Sequence, residues 1–206
     1  MRAKKVLNWL IFTSVFALIF ACDPYREGNK YLEQKQYKKA VEFFESKLKT
    51  NANDPVLHNQ LGFAYSKLKK YGKAIEHYKK AIELKPDYPE AHYNLGIVYK
   101  NRLRFEEALK EFDQAIKARP NYAKAYNARA LVNIYLGKFD LAKKDLQKAL
   151  EIEPNNEIYK SNLDYCKRME EINKALIKSK EKAEQKGESQ KTSPQPKVKS
   201  TPVEKK

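Results

Sequence analysis

Residues 55–88 read PVLHNQLGFAYSKLKKYGKAIEHYKKAIELKPDY and residues 89–122 read PEAHYNLGIVYKNRLRFEEALKEFDQAIKARPNY. Laid one above the other they match Leu61 with Leu95, Gly62 with Gly96, Ala74 with Ala108, Tyr78 with Phe112 and Pro86 with Pro120. The register extends both ways. Ala40, Ala74, Ala108 and Ala142 recur every 34 residues, as do Gly28, Gly62, Gly96 and Ala130. Tyr37, Tyr71, Phe105 and Phe139 form a third such series, and Phe44, Tyr78, Phe112 and Leu146 a fourth. A fixed period of this size marks stacked units rather than one ordinary globular core.

Each unit holds two apolar patterns of helical period. The first ends near Lys69, Arg102 or Leu136; the second runs from the aromatic residue to just before Pro86, Pro120 or Pro154. These predict antiparallel helices A and B. Small residues at the Gly/Ala slot and at the recurring alanine let helix axes come close, and Tyr and Phe fill the space around them. Asp54-Pro55 supplies an N-cap and a first-turn proline, and Asp23-Pro24 is expected to start the first unit in the same way.

This pattern resembles the tetratricopeptide repeat family, through His58, Leu61, Gly62, Tyr65, Ala74, Tyr78, Ala81 and Pro86 in one unit and His92, Leu95, Gly96, Tyr99, Ala108, Phe112, Ala115 and Pro120 in the next. The resemblance implies an all-α, right-handed helical-repeat solenoid of about four helix-turn-helix units. The units are read as 22–54 (divergent), 55–88, 89–122 and 123–156. A C-terminal capping helix over 157–182 follows, with Ile158, Tyr159, Leu163, Cys166, Met169, Ile172 and Leu176 at helical spacing. Arg129 and Asn133 depart from the family's Leu and Tyr slots in the last unit.

Arg2, Lys4 and Lys5 precede an apolar run from Trp9 to Ala21, which is short for a spanning helix and fits an export signal over 1–21. Its end, Leu18-Ile19-Phe20-Ala21-Cys22, resembles the lipobox of bacterial lipoproteins, with Phe20 bulkier than usual there. That resemblance implies cleavage before Cys22 and attachment of diacylglycerol and an N-acyl chain to it, which would hold the protein on a membrane of the cell envelope. A retained helix and plain secretion are the alternatives. No other cofactor is expected. The leaflet stays open.

The chain carries 42 basic and 26 acidic side chains, a net charge of +16. Part of the excess lies in the tail 183–206, rich in Lys with Pro194, Pro196 and Pro202 and without Leu, Ile or an aromatic residue, which predicts a disordered basic segment. An export signal argues against nucleic acid as partner, leaving an anionic polymer or lipid headgroups for the tail, or solubility alone.

No P-loop, zinc-protease or nucleophile-elbow motif is present, and His58, His77 and His92 lack metal-ligand spacing, so a non-enzymatic protein without a metal is expected. The family resemblance places the working surface on the concave side of the A helices. Its candidate peptide-binding residues are Asn59, Phe63, Tyr93, Ile97, Asn127, Leu131 and Tyr135, with Ser66, Lys67, Asn94, Lys100, Asn101 and Ile134 on the same stripes. An apolar stripe there is covered either by a partner's peptide or helix, or by self-packing of neighbouring A helices or the C-terminal helix. The expected role is an envelope adaptor for a protein partner. Its rival is a polymer or membrane-surface binder that works through the tail.

Overall fold

The computed structural model describes the backbone of residues 23–191 and the side chains of 23–184. The segment 1–21 expected to be an export signal, Cys22 and the tail beyond residue 191 lie outside the described residues. Among the described residues there are nine helices: α1 Arg26–Glu33, α2 Tyr37–Leu48, α3 Pro55–Lys67, α4 Tyr71–Leu84, α5 Pro89–Asn101, α6 Phe105–Ala118, α7 Ala123–Tyr135, α8 Phe139–Ile152 and α9 Glu157–Lys191. Each packs chiefly on its neighbours in the chain, and the A helices α3, α5 and α7 also touch in sequence. This is the all-helical repeat array that the 34-residue period predicts.

The interior follows the register. Ala40, Ala74, Ala108 and Ala142 are fully buried. A Cβ on Gly28 would sit 2.4 Å from a Phe44 ring carbon, on Gly62 2.8 Å from Tyr78, and on Gly96 2.6 Å from Phe112. The glycine of each A helix is therefore the seat of the large ring on the B helix of the same unit. The last unit replaces both members, pairing Ala130 with Leu146, each fully buried. The smaller side chain leaves room for the extra methyl.

Helix starts differ between units. The Asp54 carboxylate accepts hydrogen bonds from the Val56 and Leu57 backbone N–H at 2.8 and 3.1 Å, and its other oxygen accepts from the Tyr25 hydroxyl at 2.7 Å. Asn156 repeats this cap for α9 through the N–H groups of Ile158 and Tyr159. The expected start at Asp23-Pro24 is corrected: α1 begins at Arg26, because Asp23 closes a turn instead, its side chain accepting from Tyr25 N–H and its carbonyl from Arg26 N–H.

Lys35, Lys69, Leu103 and Gly137 occupy one register position after the A helices, all with positive φ of 57 to 71°. There the next residue's N–H reaches back to Tyr31, Tyr65, Tyr99 or Asn133 at 2.8 to 3.0 Å, closing a Schellman turn. Only Gly137 takes this conformation without the steric cost that side chains bear.

The N-terminal part of α9 packs on α7 and α8 in the place where an A helix of a fifth unit would lie. Tyr159 and Cys166 are buried there, and burial raises the Cys166 thiol pKa. The helix continues to Lys191, past the residue 182 at which the sequence reading ends it. Lys, Glu, Ala and Gln dominate that stretch, all strong helix formers, and the first proline comes only at Pro194.

Candidate functional site

The concave side is open at α3 and α5 and closed at α7. Phe63, Tyr93 and Ile97 come together around a cleft of about 220 Å³, with Tyr71 and Tyr78 behind them and Ser66, Lys67, Asn94 and Asn101 at its margin. The Lys67 ammonium lies 5.0 Å from the centre of the Phe63 ring. Tyr93 packs at a tilt between Tyr122 at 5.3 Å and Phe112 at 6.0 Å, which fixes its ring. Half-buried Lys100 has its pKa lowered by desolvation alone, with no carboxylate contributing.

The other candidate residues are placed differently. Asn59 is only 6% exposed, and its amide is engaged: its oxygen accepts from Asn94 Nδ2 at 3.1 Å and its nitrogen donates to the Tyr88 hydroxyl at 3.4 Å. Asn127 accepts from Asn162 Nδ2 at 2.7 Å. Both amides, expected to meet a bound peptide's backbone, join each A helix to the next, Asn59 from a buried place and part-buried Asn127 through its oxygen. Ile134 and Leu131 pack with Leu163, Cys166 and Met169 of α9. Tyr135 is exposed at the end of α7, its ring 4.6 Å from Phe105. Neither Leu131 nor Tyr135 lines the cleft that holds Phe63, Tyr93 and Ile97. Thus self-packing accounts for the fourth unit and an open cleft for the second and third.

Asn59→Ala is accordingly expected to cost about 1–3 kcal/mol of stability in urea denaturation, because Asn94 and the Tyr88 hydroxyl lose their partner in a buried place. An unchanged midpoint would show that the ladder contributes nothing.

The histidines are structural. His58 Nε2 bonds with the Ala52 carbonyl at 3.0 Å and His92 Nε2 with the Pro86 carbonyl at 2.9 Å, the same contact one unit apart. Their Nδ1 atoms diverge in partner: His58 meets His77 at 3.1 Å, whereas His92 meets the Glu111 carboxylate at 2.7 Å. Burial and then the neighbouring His58 lower the pKa of His77. At His92 burial pulls the pKa down, but the bonds to Glu111 and the Pro86 carbonyl outweigh it and the net shift is upward.

The signs therefore oppose. His77 withdraws stability as the pH falls below the ordinary histidine value, where the unfolded chain takes up the proton more readily. His92 adds stability that is complete below that value and is lost as the pH rises through its higher folded pKa. His77→Glu, which copies the His92 pairing, is expected to make stability at pH 5.5 rise relative to pH 7.5 by about 1 kcal/mol against the parent. Thermal melts at the two pH values measure it; an identical pH response in both proteins would refute the pairing. Among the described residues no cluster of three or more His, Cys, Asp or Glu side chains is arranged to hold a metal ion.

The array matches known repeat models over three stretches: a TPR repeat over residues 67–101, and tetratricopeptide repeats over 89–122 and 123–156. No curated protein sequence matches the chain. Among solved structures, it resembles the APC/C hetero-tetramer Cut9-Hcn1 with a TM-score of 0.65 at 24% identity, covering 69% of this chain and only 29% of that one. YrrB, described as a TPR protein with an unusual peptide-binding site, aligns with a TM-score of 0.58 at 27% identity, over 66% of this chain and 70% of that chain. The first TPR of Spaghetti (RPAP3), bound to HSP90 peptide SRMEEVD, aligns with a TM-score of 0.54 at 30% identity, over 55% of this chain and 90% of that one. With that identity across nearly the whole of the Spaghetti repeat domain, and its own repeats in matching register, the chain belongs to the tetratricopeptide repeat family.

Proposed function

We propose that this protein is a non-enzymatic adaptor that captures an extended or helical segment of a partner protein in the cleft between α3 and α5. The carrying observation is that Phe63, Tyr93 and Ile97, from two successive A helices, bound an unfilled apolar cleft whose margin holds amide and ammonium groups. Such a site gives affinity through a buried apolar anchor, while Asn94 and Asn101 offer donors and acceptors to a peptide backbone. Lys67, at the margin of the cleft, favours an acidic residue beside the anchor. The peptide carried by the Spaghetti structure and the peptide-binding site of YrrB support this use of the fold. Recognition of a chaperone tail is disfavoured, since Tyr25, Phe63, Tyr93, Ile97 and Leu131 stand where that family's carboxylate clamp needs Lys or Arg.

In the same proposal the adaptor works at a membrane of the bacterial cell envelope, tethered through acyl chains on Cys22, a reading supported by the lipobox-like ending of the N-terminal segment. Growth with labelled fatty acid tests it: label in the wild-type chain and none in Cys22→Ser is expected, and equal labelling would overturn the anchor. Partner capture is tested by a photocrosslinker at position 93. Ile97→Glu is expected to weaken capture about 30-fold or more, the size of a hot-spot loss, with little change in stability. Deleting 183–206 should leave capture intact; salt-sensitive capture that needs the tail and ignores Ile97→Glu would move the function to the tail.

A further inference from the structure

A second site, with no lining residue in common with the Phe63–Ile97 cleft, lies where one repeated side chain is missing. Tyr65 in α3 and Tyr99 in α5 hold the same register position, both nearly fully buried. The Tyr65 hydroxyl donates to the Glu45 carboxylate, and its ring lies 5.1 Å from the Lys73 ammonium. The Tyr99 ring lies 4.6 Å from the Arg104 guanidinium. In α7 the position is Asn133, too short to fill the space a phenol ring occupies. A cavity of about 400 Å³ opens beside Asn133, which is itself nearly buried, and is bounded by Leu109, Asp113, Arg129, Lys138, Leu141 and Asp145.

Part of the surroundings of the absent tyrosine remains, although Arg129 stands in the place of Leu61 and Leu95 and bonds Asp145, which stands in the place of His77 and Glu111. By the 34-residue register Asp113 stands where Glu45 accepts the Tyr65 hydroxyl, Lys138 stands where Arg104 faces the Tyr99 ring, and Leu109 is the counterpart of Val41 and Ile75. Asp113 binds Arg129 through one oxygen yet keeps its side chain 55% exposed, so its second oxygen is accessible. Leu141, half exposed, forms an apolar wall that nothing in the described chain covers. We propose that this cavity receives a tyrosine side chain of a partner protein, the ring over Leu109 and against Leu141 and Lys138, the hydroxyl donating to Asp113. A phenylalanine would fill the same space but offer Asp113 no donor, and a basic side chain would meet Lys138 and Lys144 at the rim. Sharing no lining residue with the Phe63–Ile97 cleft, the site stands or falls independently of the function proposed above.

The test is titration of N-acetyl-L-tyrosinamide into the isotope-labelled full chain, followed by amide chemical shifts. Saturable shifts confined to the surroundings of Leu109, Asp113 and Leu141 are expected at millimolar ligand. N-acetyl-L-phenylalaninamide should bind about 10-fold more weakly, the worth of a hydrogen bond to a charged acceptor. Asn133→Tyr, which supplies the ring from within, should abolish binding; Leu141→Asp, at an exposed position that does not endanger folding, should do the same. Absence of saturation, equal binding of the two amides, or binding unchanged in Leu141→Asp would overturn the assignment.

Discussion

Phe112→Ala is expected to lower the unfolding free energy by about 3–5 kcal/mol, the range for removing a fully buried aromatic ring. The ring is 0% exposed, rests on Gly96 and touches Tyr93, so its loss opens a void bounded by two helices of the third unit and the cleft-lining tyrosine. The effect spreads because each unit of an array is stabilised mainly by its neighbours. Weakening the third unit separates α1–α4 from α7–α9. Urea denaturation followed by circular dichroism should therefore show a lower midpoint and a broader transition. The glycine tests the same seat from the other side: Gly96→Ala alone drives a Cβ into the ring, an overpacking worth about 1–3 kcal/mol that outweighs the gain of about 1 kcal/mol in helix propensity. Combined with Phe112→Leu it should lose less than the sum of the two single changes, since the last unit already uses Ala130 over Leu146. Strict additivity would mean that the two positions do not share one space.

Arg129→Leu is expected to destabilise by about 3 kcal/mol, although Leu is the residue that its register position holds in the second and third units. Arg129 donates to both Asp145 oxygens, at 2.9 and 2.6 Å, and also to Asp113. The Asp145 side chain is 8% exposed, so removing the guanidinium leaves a buried carboxylate uncompensated. The double change Arg129→Leu with Asp145→Ala should recover most of the loss, because replacing both partners of a buried pair by apolar groups is often close to neutral. A double-mutant cycle in urea measures the coupling. A more stable Arg129→Leu protein would show that the repeat pattern governs this position and the ion pair does not.

This pair illustrates where a pattern stops being informative. The substitution at Arg129 is visible in the sequence as a break in the Leu series, but its partner is not, since Asp145 occupies a slot filled by His77 and Glu111 in the preceding units. The cleft shows the same division. Phe63, Tyr93 and Ile97 are legible as one surface through the family resemblance together with helical spacing, whereas the engagement of Asn59 by Asn94 and of Asn127 by Asn162 is not, because each bond joins different positions of successive units. The left-handed turns at Lys35, Lys69 and Leu103 carry no glycine to announce them; only Gly137 does.

By itself the sequence determined the period, the alternation of A and B helices, the ends of three B helices just before Pro86, Pro120 and Pro154, and the alternation of small slots with large rings that pack around them. These are consequences of spacing within a unit, where helical geometry converts residue number directly into direction. Tertiary structure alone decided which stretch of the concave face stays open, which amides join neighbouring helices, what pairs with Arg129, and that a cavity remains beside Asn133. Those outcomes depend on side-chain atoms meeting across helices from distant parts of the chain, and the lengths and partners of such side chains vary freely without disturbing the repeat.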